Sequence, residues 1–179
     1  MSIEVAIFEK VSFGQFKKDW LNTFPEWKDE VDIDYMDKVI WNVWQNIKLP
    51  KRSTSGSAGY DFYMPCNLKI ANLGAKKIPT GIRCNMNKGW VLQIFPRSGM
   101  GFKSGIHLAN TVGIIDSDYY GSSNEGHIFI KLINDSALRS DIMLEEGKAF
   151  CQGIFLPYGI TDDDNSTAIR DGGLGSTSR

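Results

Sequence analysis

The sequence predicts an all-β domain of sandwich, jelly-roll or barrel type, with a small helical segment near its N-terminus. Three observations predict it. From Leu49 onward, short runs rich in β-branched and aromatic residues alternate with clusters of Gly, Pro, Asn and Asp, with no helical period between them. Before Leu49, apolar residues recur at helical spacing instead. After Thr161 the chain turns polar and glycine-rich and loses any apolar period, which predicts a mobile tail. The expected organisation is one β domain over residues 1–160, including a helical insertion at 12–48, followed by a flexible tail at 161–179.

Residues 3–11 alternate loosely between apolar and polar, which suits an opening strand. Ser12 with Gln15 three positions on has the form of a capping box and predicts a short helix through Trp20. A second helix is predicted over 34–46, where Tyr35, Val39, Ile40, Val43, Trp44 and Ile47 share one face. The tryptophans here (Trp20, Trp27, Trp41, Trp44) read first as packing of the helices onto the main domain. A protein partner docking on 12–48 is the other reading. The β-rich part predicts strands at 60–64, 77–85, 89–95, 106–108, 112–115, 126–134, 141–144 and 149–158.

Composition narrows the function. The 179 residues suffice for one domain with a real core, and a formal net charge of −1 implies no broad basic surface for nucleic acid. Any phosphate binding must come from a few placed cations and backbone amides. Cys66, Cys84 and Cys151 are odd in number and lack metal-type spacing, so they read as reduced thiols of a cytoplasmic protein. No apolar run approaches a membrane span, and the N-terminus does not resemble a signal peptide.

Three segments carry chemistry. In P-R-S-G-M-G-F-K-S-G (96–105), glycines permit close backbone approach while Arg97 and Lys103 supply charge. Phosphate binding competes there with a plain glycine-rich turn between strands. In N-T-V-G-I-I-D-S-D-Y-Y-G (110–121), Asp116 follows Ile114 and Ile115. It is expected at the end of a buried strand, where a carboxylate either holds a water as general base or merely caps a turn. Asp118 falls on the opposite side of an extended chain and reads as a turn residue. Residues 170–177 combine an Arg, several glycines and a Ser-Thr pair: either a lid that closes over an anion or a plain terminus.

Together these segments resemble the trimeric dUTPase family, which is marked by five ordered motifs. They are matched by S-A-G-Y-D-F (57–62), P-R-S-G-M-G-F-K (96–103), G-I-I-D-S-D-Y-Y-G (113–121), G-K-A-F-C-Q-G-I-F (147–155) and R-D-G-G-L-G-S-T (170–177). They span about two thirds of the chain. The resemblance implies a jelly-roll (β-clip) subunit, a homotrimer with shared active sites, and hydrolysis of dUTP to dUMP and pyrophosphate with Mg²⁺. That activity limits uracil in DNA and supplies dUMP. It further implies that Asp116 activates the water that attacks the α-phosphorus, and that Arg97, Ser98, Gly99 and Gln152 hold the phosphates. Asp61 is expected near the metal's water shell or as a structural anchor. Asn110 and the backbone of Gly113, Ile114 and Ile115 would read uracil from a β-hairpin, and Tyr119 would pack under the deoxyribose and exclude a 2′-hydroxyl. From a neighbouring subunit, Arg170 would reach the outer phosphates, with Leu174, Gly175, Ser176 and Thr177 closing the site.

The sequence departs from the family pattern in places. Leu174 stands where the family usually has Phe; base–aromatic stacking is worth about 1–3 kcal/mol, so a higher Michaelis constant with intact chemistry is expected. Ala149 replaces a common Arg, and the fifth motif is one residue shorter before its glycine pair. Residues 122–125 look inserted as a surface hairpin extension; Glu125 reads as a solvated turn residue in preference to a second catalytic acid. The helical segment has no counterpart in the minimal family core. Two other functions compete. One is a dCTP deaminase-like enzyme, against which Gly99, Lys103 and Tyr119 argue. The other is a dUTP-gated regulatory binding protein of phage type.

Overall fold

The computed structural model describes residues 3–28, 32–136, 140–168, 170 and 172. The N-terminal segment opens with β1 (Ala6–Lys10) and continues into α1 (Phe13–Thr23), a short turn of helix at Pro25–Lys28 and α2 (Ile33–Asn46). Ser12 starts α1 by accepting a hydrogen bond from the Gln15 amide, and Asp32 starts α2 by accepting from Asp34 and Tyr35. The capping box is only half formed. The Gln15 side chain reaches Asp19 instead of returning to Ser12, and the Ser12 amide goes to Glu125. That exchange recruits a distant segment to the helix start. α1 buries Phe16, Asp19 and Trp20, and α2 buries Met36 and Ile40. Phe13 stands edge-on to Trp41 with centroids 4.8 Å apart, and the Trp44 indole donates to the Val11 carbonyl at 2.9 Å. The segment therefore packs as an integral part of the core.

The β-rich part follows as β2 (Lys51–Arg52), β3 (Tyr60–Tyr63), β4 (Leu68–Ile70), β5 (Ala75–Pro79), β6 (Ile82–Met86), β7 (Trp90–Pro96), α3 (Ser98–Ser104), β8 (Ile106–Leu108), β9 (Gly113–Ile115), a helical turn at Ser117–Gly121, β10 (Phe129–Asn134), β11 (Ile142–Leu144) and β12 (Ala149–Pro157). All pairings are antiparallel. The largest sheet runs β2-β3-β12-β7-β9; β5-β10-β8, β1-β6 and β11-β4 form the smaller ones. The result is an all-β jelly roll around Phe62, Ile70, Leu92, Ile106, Leu132 and Phe150, each essentially buried.

Most differences from the sequence expectation have identifiable physical causes. The run 77–85 is two strands. Gly81, at φ +71°, turns the chain, and a Cβ on it would stand 2.2 Å from the Ile47 methyl, so only glycine fits. Thr80 secures the break by donating to the Ile128 carbonyl at 2.6 Å and accepting from the Ile82 amide at 3.1 Å. β2 and β4 are too short to show a period. α3 forms where a glycine turn was the alternative: Met100 packs on the core, and Gly105 ends the helix in the left-handed region.

Candidate active site

The first, second and fourth motifs meet on the large sheet. β12 lies between β3 and β7, so Gln152 stands opposite Asp61 on one side and Phe95 on the other. Asp61 is buried; its Oδ1 faces the Arg97 Nε at 3.2 Å, and its Oδ2 accepts from the Ser53 hydroxyl at 2.8 Å. One Asp61 oxygen thus faces Arg97 and the other holds Ser53. The Arg97 guanidinium also approaches the Ala149 carbonyl at 3.5 Å, so the backbone of that position still supports it although the family's Arg is missing. A Cβ on Gly59 would stand 2.6 Å from the Gln152 Oε1, so the glycine of the first motif makes room for that amide. Ser98 and Gly99 open α3 on the exposed side of the cluster.

The third and fifth motifs meet elsewhere. Asp116 follows β9, which is an edge strand with Ile114 52% exposed, so the strand is not buried as expected. A three-residue strand on the sheet margin has a partner on one side only. Arg170 places its Nη2 3.1 Å from the Asp116 Oδ2 and its Nε 3.8 Å from the Asp118 Oδ1. Its guanidinium lies 5.6 Å from the Tyr119 ring centroid, and the Ser122 hydroxyl donates to the Gly172 carbonyl at 3.3 Å. The expected place of Arg170 was on phosphates of a neighbouring subunit's site; here it lies against two carboxylates of its own chain. Asp118 lies in the helical turn 117–121 rather than across an extended chain from Asp116, so Arg170 reaches both carboxylates.

Tyr119 is buried, donates its hydroxyl to the His127 carbonyl at 2.7 Å and accepts from the Asn124 amide at 2.8 Å. Burial pushes its phenol above the ordinary value, against the pull of the Asn124 hydrogen bond, so the hydroxyl remains a donor. Asn110 is exposed in the turn between β8 and β9. Those strands belong to different sheets, so the expected β-hairpin is a turn that crosses between sheets. The missing Cβ of Gly113 would lie 3.1 Å from the Ile94 Cβ and 4.0 Å from the Asn110 Nδ2, which keeps the backbone of 113–115 near that amide. Glu125 is not the solvated turn residue expected: it is half-buried, and its carboxylate accepts from the Ser12 amide and hydroxyl at 2.7 and 2.6 Å. Leu174, Gly175, Ser176 and Thr177 lie outside the described residues. Sequence reasoning missed Ser53 and Asn124, whose partners lie within eight residues but match no motif, and Asp19 and His127, which pair across 108 residues.

The two groups are far apart within one chain. β9 runs antiparallel to β7 with Ile115 opposite Leu92 and Gly113 opposite Ile94. Arg97 lies five residues beyond Leu92, on the order of 17 Å at strand rise, and Asp116 continues the other way. A single copy therefore presents the phosphate-type cluster and the Asp116 cluster at opposite ends of β7.

Comparison with known proteins gives the same family as the motifs. The dUTPase family model matches residues 45–178. The deoxyuridine 5'-triphosphate nucleotidohydrolase of Lactococcus lactis is 40% identical over 134 residues, 73% of this chain and 88% of the relative. That of Escherichia coli is 30% identical over 84% of this chain and 98% of its own length. Among solved structures, the dUTPase of Streptococcus mutans superposes with a TM-score of 0.63 at 33% identity, covering 87% of this chain and 98% of that one. The dUTPase of Staphylococcus aureus phage phi11 shares the fold at a TM-score of 0.58 and 18% identity, over 69% of this chain and 92% of that one. With the motifs, the jelly roll and these relatives in agreement, the chain belongs to the dUTPase family.

Proposed function

We propose that this chain hydrolyses dUTP to dUMP and pyrophosphate at composite sites, each completed by neighbouring copies in a homotrimer. The observation that carries the composite site is the separation of Arg97 and Asp116 along β7. One substrate cannot touch both within a single copy, whereas a symmetric ring brings one end of a subunit against the other end of the next.

In this reading Asp116 orients a water and takes its proton as that water attacks the α-phosphorus, and the leaving pyrophosphate is held by Arg97, Ser98, Gly99 and Gln152. Asp61 acts through Arg97, whose guanidinium it fixes. Among the described residues no three His, Cys, Asp or Glu side chains converge on a metal position, and both Asp61 oxygens are engaged. That donor set suits Mg²⁺ arriving with the triphosphate and keeping waters in its shell. Such an ion offsets the triphosphate charge. Arg170 leaves Asp116 for the phosphates when substrate enters, since a multiply charged anion outcompetes two half-exposed carboxylates. Tyr119 supports the sugar and leaves no room for a 2′-hydroxyl, while Asn110 and the backbone of 113–115 pair with uracil and reject mismatched bases. The tail 161–179 closes the site. Three free thiols suit a reducing, cytoplasmic setting.

Turnover with Mg²⁺ and separate dUTP, dCTP, dTTP and UTP tests the reading. Conversion of dUTP alone is expected, with kcat falling about 10²–10⁴-fold in Asp116→Asn. Deamination of dCTP, or undiminished turnover by that variant, overturns it. A regulatory role in addition is supported by one observation: Ile33, Tyr35 and Trp41 of α2 remain exposed at 70%, 62% and 43%. Capture of a partner that Tyr35→Ala and Trp41→Ala abolish tests it; capture insensitive to both counts against it.

A further inference from the structure

The loop that carries Tyr119 is fastened to the N-terminal segment at three successive points. The Tyr120 hydroxyl donates to the Glu9 Oε2 of β1 at 2.7 Å. Glu125 accepts from the Ser12 amide and hydroxyl at the start of α1. His127, fully buried, meets the Asp19 Oδ2 of α1 through its Nδ1 at 2.6 Å. Its other nitrogen, Nε2, accepts the Gly81 amide at 2.8 Å. A ring nitrogen that accepts carries no proton, so Nδ1 carries it and donates to Asp19; the ring is fixed at both ends. The backbone carbonyl of the same residue receives the Tyr119 hydroxyl. Asp19 thus holds His127, and His127 holds Tyr119.

We infer that Asp19 is a positioning residue for sugar selectivity: through His127 it sets the depth of Tyr119, and so the room left at the 2′ carbon of the substrate. The N-terminal helices thereby clamp the site, and the insertion at 122–125 is their counterpart on the loop. The inference rests on the proposed role of Tyr119 under the deoxyribose. A Tyr119 ring that loses its tether can tilt and admit a 2′-hydroxyl, whereas Arg97, Gln152 and the Asp116 carboxylate lie outside the chain of bonds.

The test is the ratio of kcat/KM for dUTP to that for UTP, measured on one preparation of each full-length variant. Loss of folded enzyme lowers both values equally and leaves the ratio unmoved, so a merely structural Asp19 does not change it. Asp19→Ala is expected to lower the ratio about three- to tenfold, the worth of one net hydrogen bond, mainly through a lower KM for UTP. Asp19→Asn, which keeps an acceptor for the His127 Nδ1–H, restores most of it. Tyr119→Phe cuts the last bond of the series, together with the one Tyr119 accepts from Asn124, and gives at least a similar fall even if Asp19→Ala does not fold. In the Tyr119→Phe background Asp19→Ala then adds nothing to the ratio. Tyr119→Ala separates the role of Tyr119 from that of Asp19. If it leaves the ratio unchanged, the role of Tyr119 fails and the inference with it. If Tyr119→Ala collapses the ratio while Asp19→Ala and Tyr119→Phe do not, the Asp19 inference alone is overturned.

Discussion

Asp19 is a carboxylate taken out of water and kept charged by its neighbours. Burial works to raise its pKa, but hydrogen bonds from His127 and Gln15 outweigh that, and the net position is below the ordinary 3.8. The sign of the stability effect follows. On acidification the unfolded chain takes up the proton first, so the contribution is fully present above about pH 4 and is lost as pH falls through the folded value. Urea unfolding at pH 7 and near pH 3 should therefore show a larger acid loss for the native chain than for Asp19→Asn, which has no proton to bind. Equal losses in both would mean that the Asp19–His127 pair is not charge-assisted. The cysteines give the opposite case. Burial pushes Cys66 up to about 11 and Cys84 up to about 12, so both remain thiols, inert at neutral pH.

At the level of elements, Gly81 joins the two halves of the fold. Its amide donates to His127, its carbonyl accepts from the Val11 amide at 3.0 Å, and its missing Cβ leaves space for Ile47. Gly81→Ala forces an αL conformation on a residue with a side chain, about 1–3 kcal/mol, and overpacks the contact with α2, about 1–3 kcal/mol more. A lower urea midpoint is expected; an unchanged midpoint would show that the N-terminal segment is only loosely seated. Elements of this kind mark the limit of sequence reading. Strands bounded by clear turn signals were legible almost to the residue: those expected at 106–108 and 149–158 lie at 106–108 and 149–157. So was the start of α1, which Ser12 caps; α2 starts at Ile33, one residue before the expected 34, on an Asp32 cap that the reading did not name. The break at Thr80 and Gly81 was not, because it is set by Ile128, His127 and Ile47, none of them local. In the site, Arg97, Gln152 and Asp61, from three separate motifs, come together on the large sheet. The link from Asp19 through His127 to Tyr119 spans over a hundred residues and carries no motif at all.

For the whole molecule the deciding quantity is how many copies make one site. Arg97 and Asp116 lie at opposite ends of β7, and neither end alone has both of the residues to which the proposed reaction assigns phosphate binding and proton abstraction. A chain acting alone needs a large bend in the central sheet to bring them together. The sheet is pinned against this by β12, which pairs with β7 from Pro96 to Trp90. The proposed assembly would bring them together with no bend. The two cases differ when inactive variants are mixed. Take Arg97→Ala and Asp116→Asn, each inactive, unfold them together in equal amounts and refold. If every site draws Arg97 from one copy and Asp116 from another, random assembly gives about a quarter of the sites both native residues. Activity then rises from near zero toward that fraction, and sedimentation gives the mass of three chains. If each site belongs to one copy, every copy still carries one of the two lesions and no activity returns. Recovery well short of a quarter, with trimers present, would point to slow or biased exchange, which refolding time resolves. Failure to recover in fully mixed trimers would refute shared sites, and the distance along β7 would then have no bearing on how a site is built.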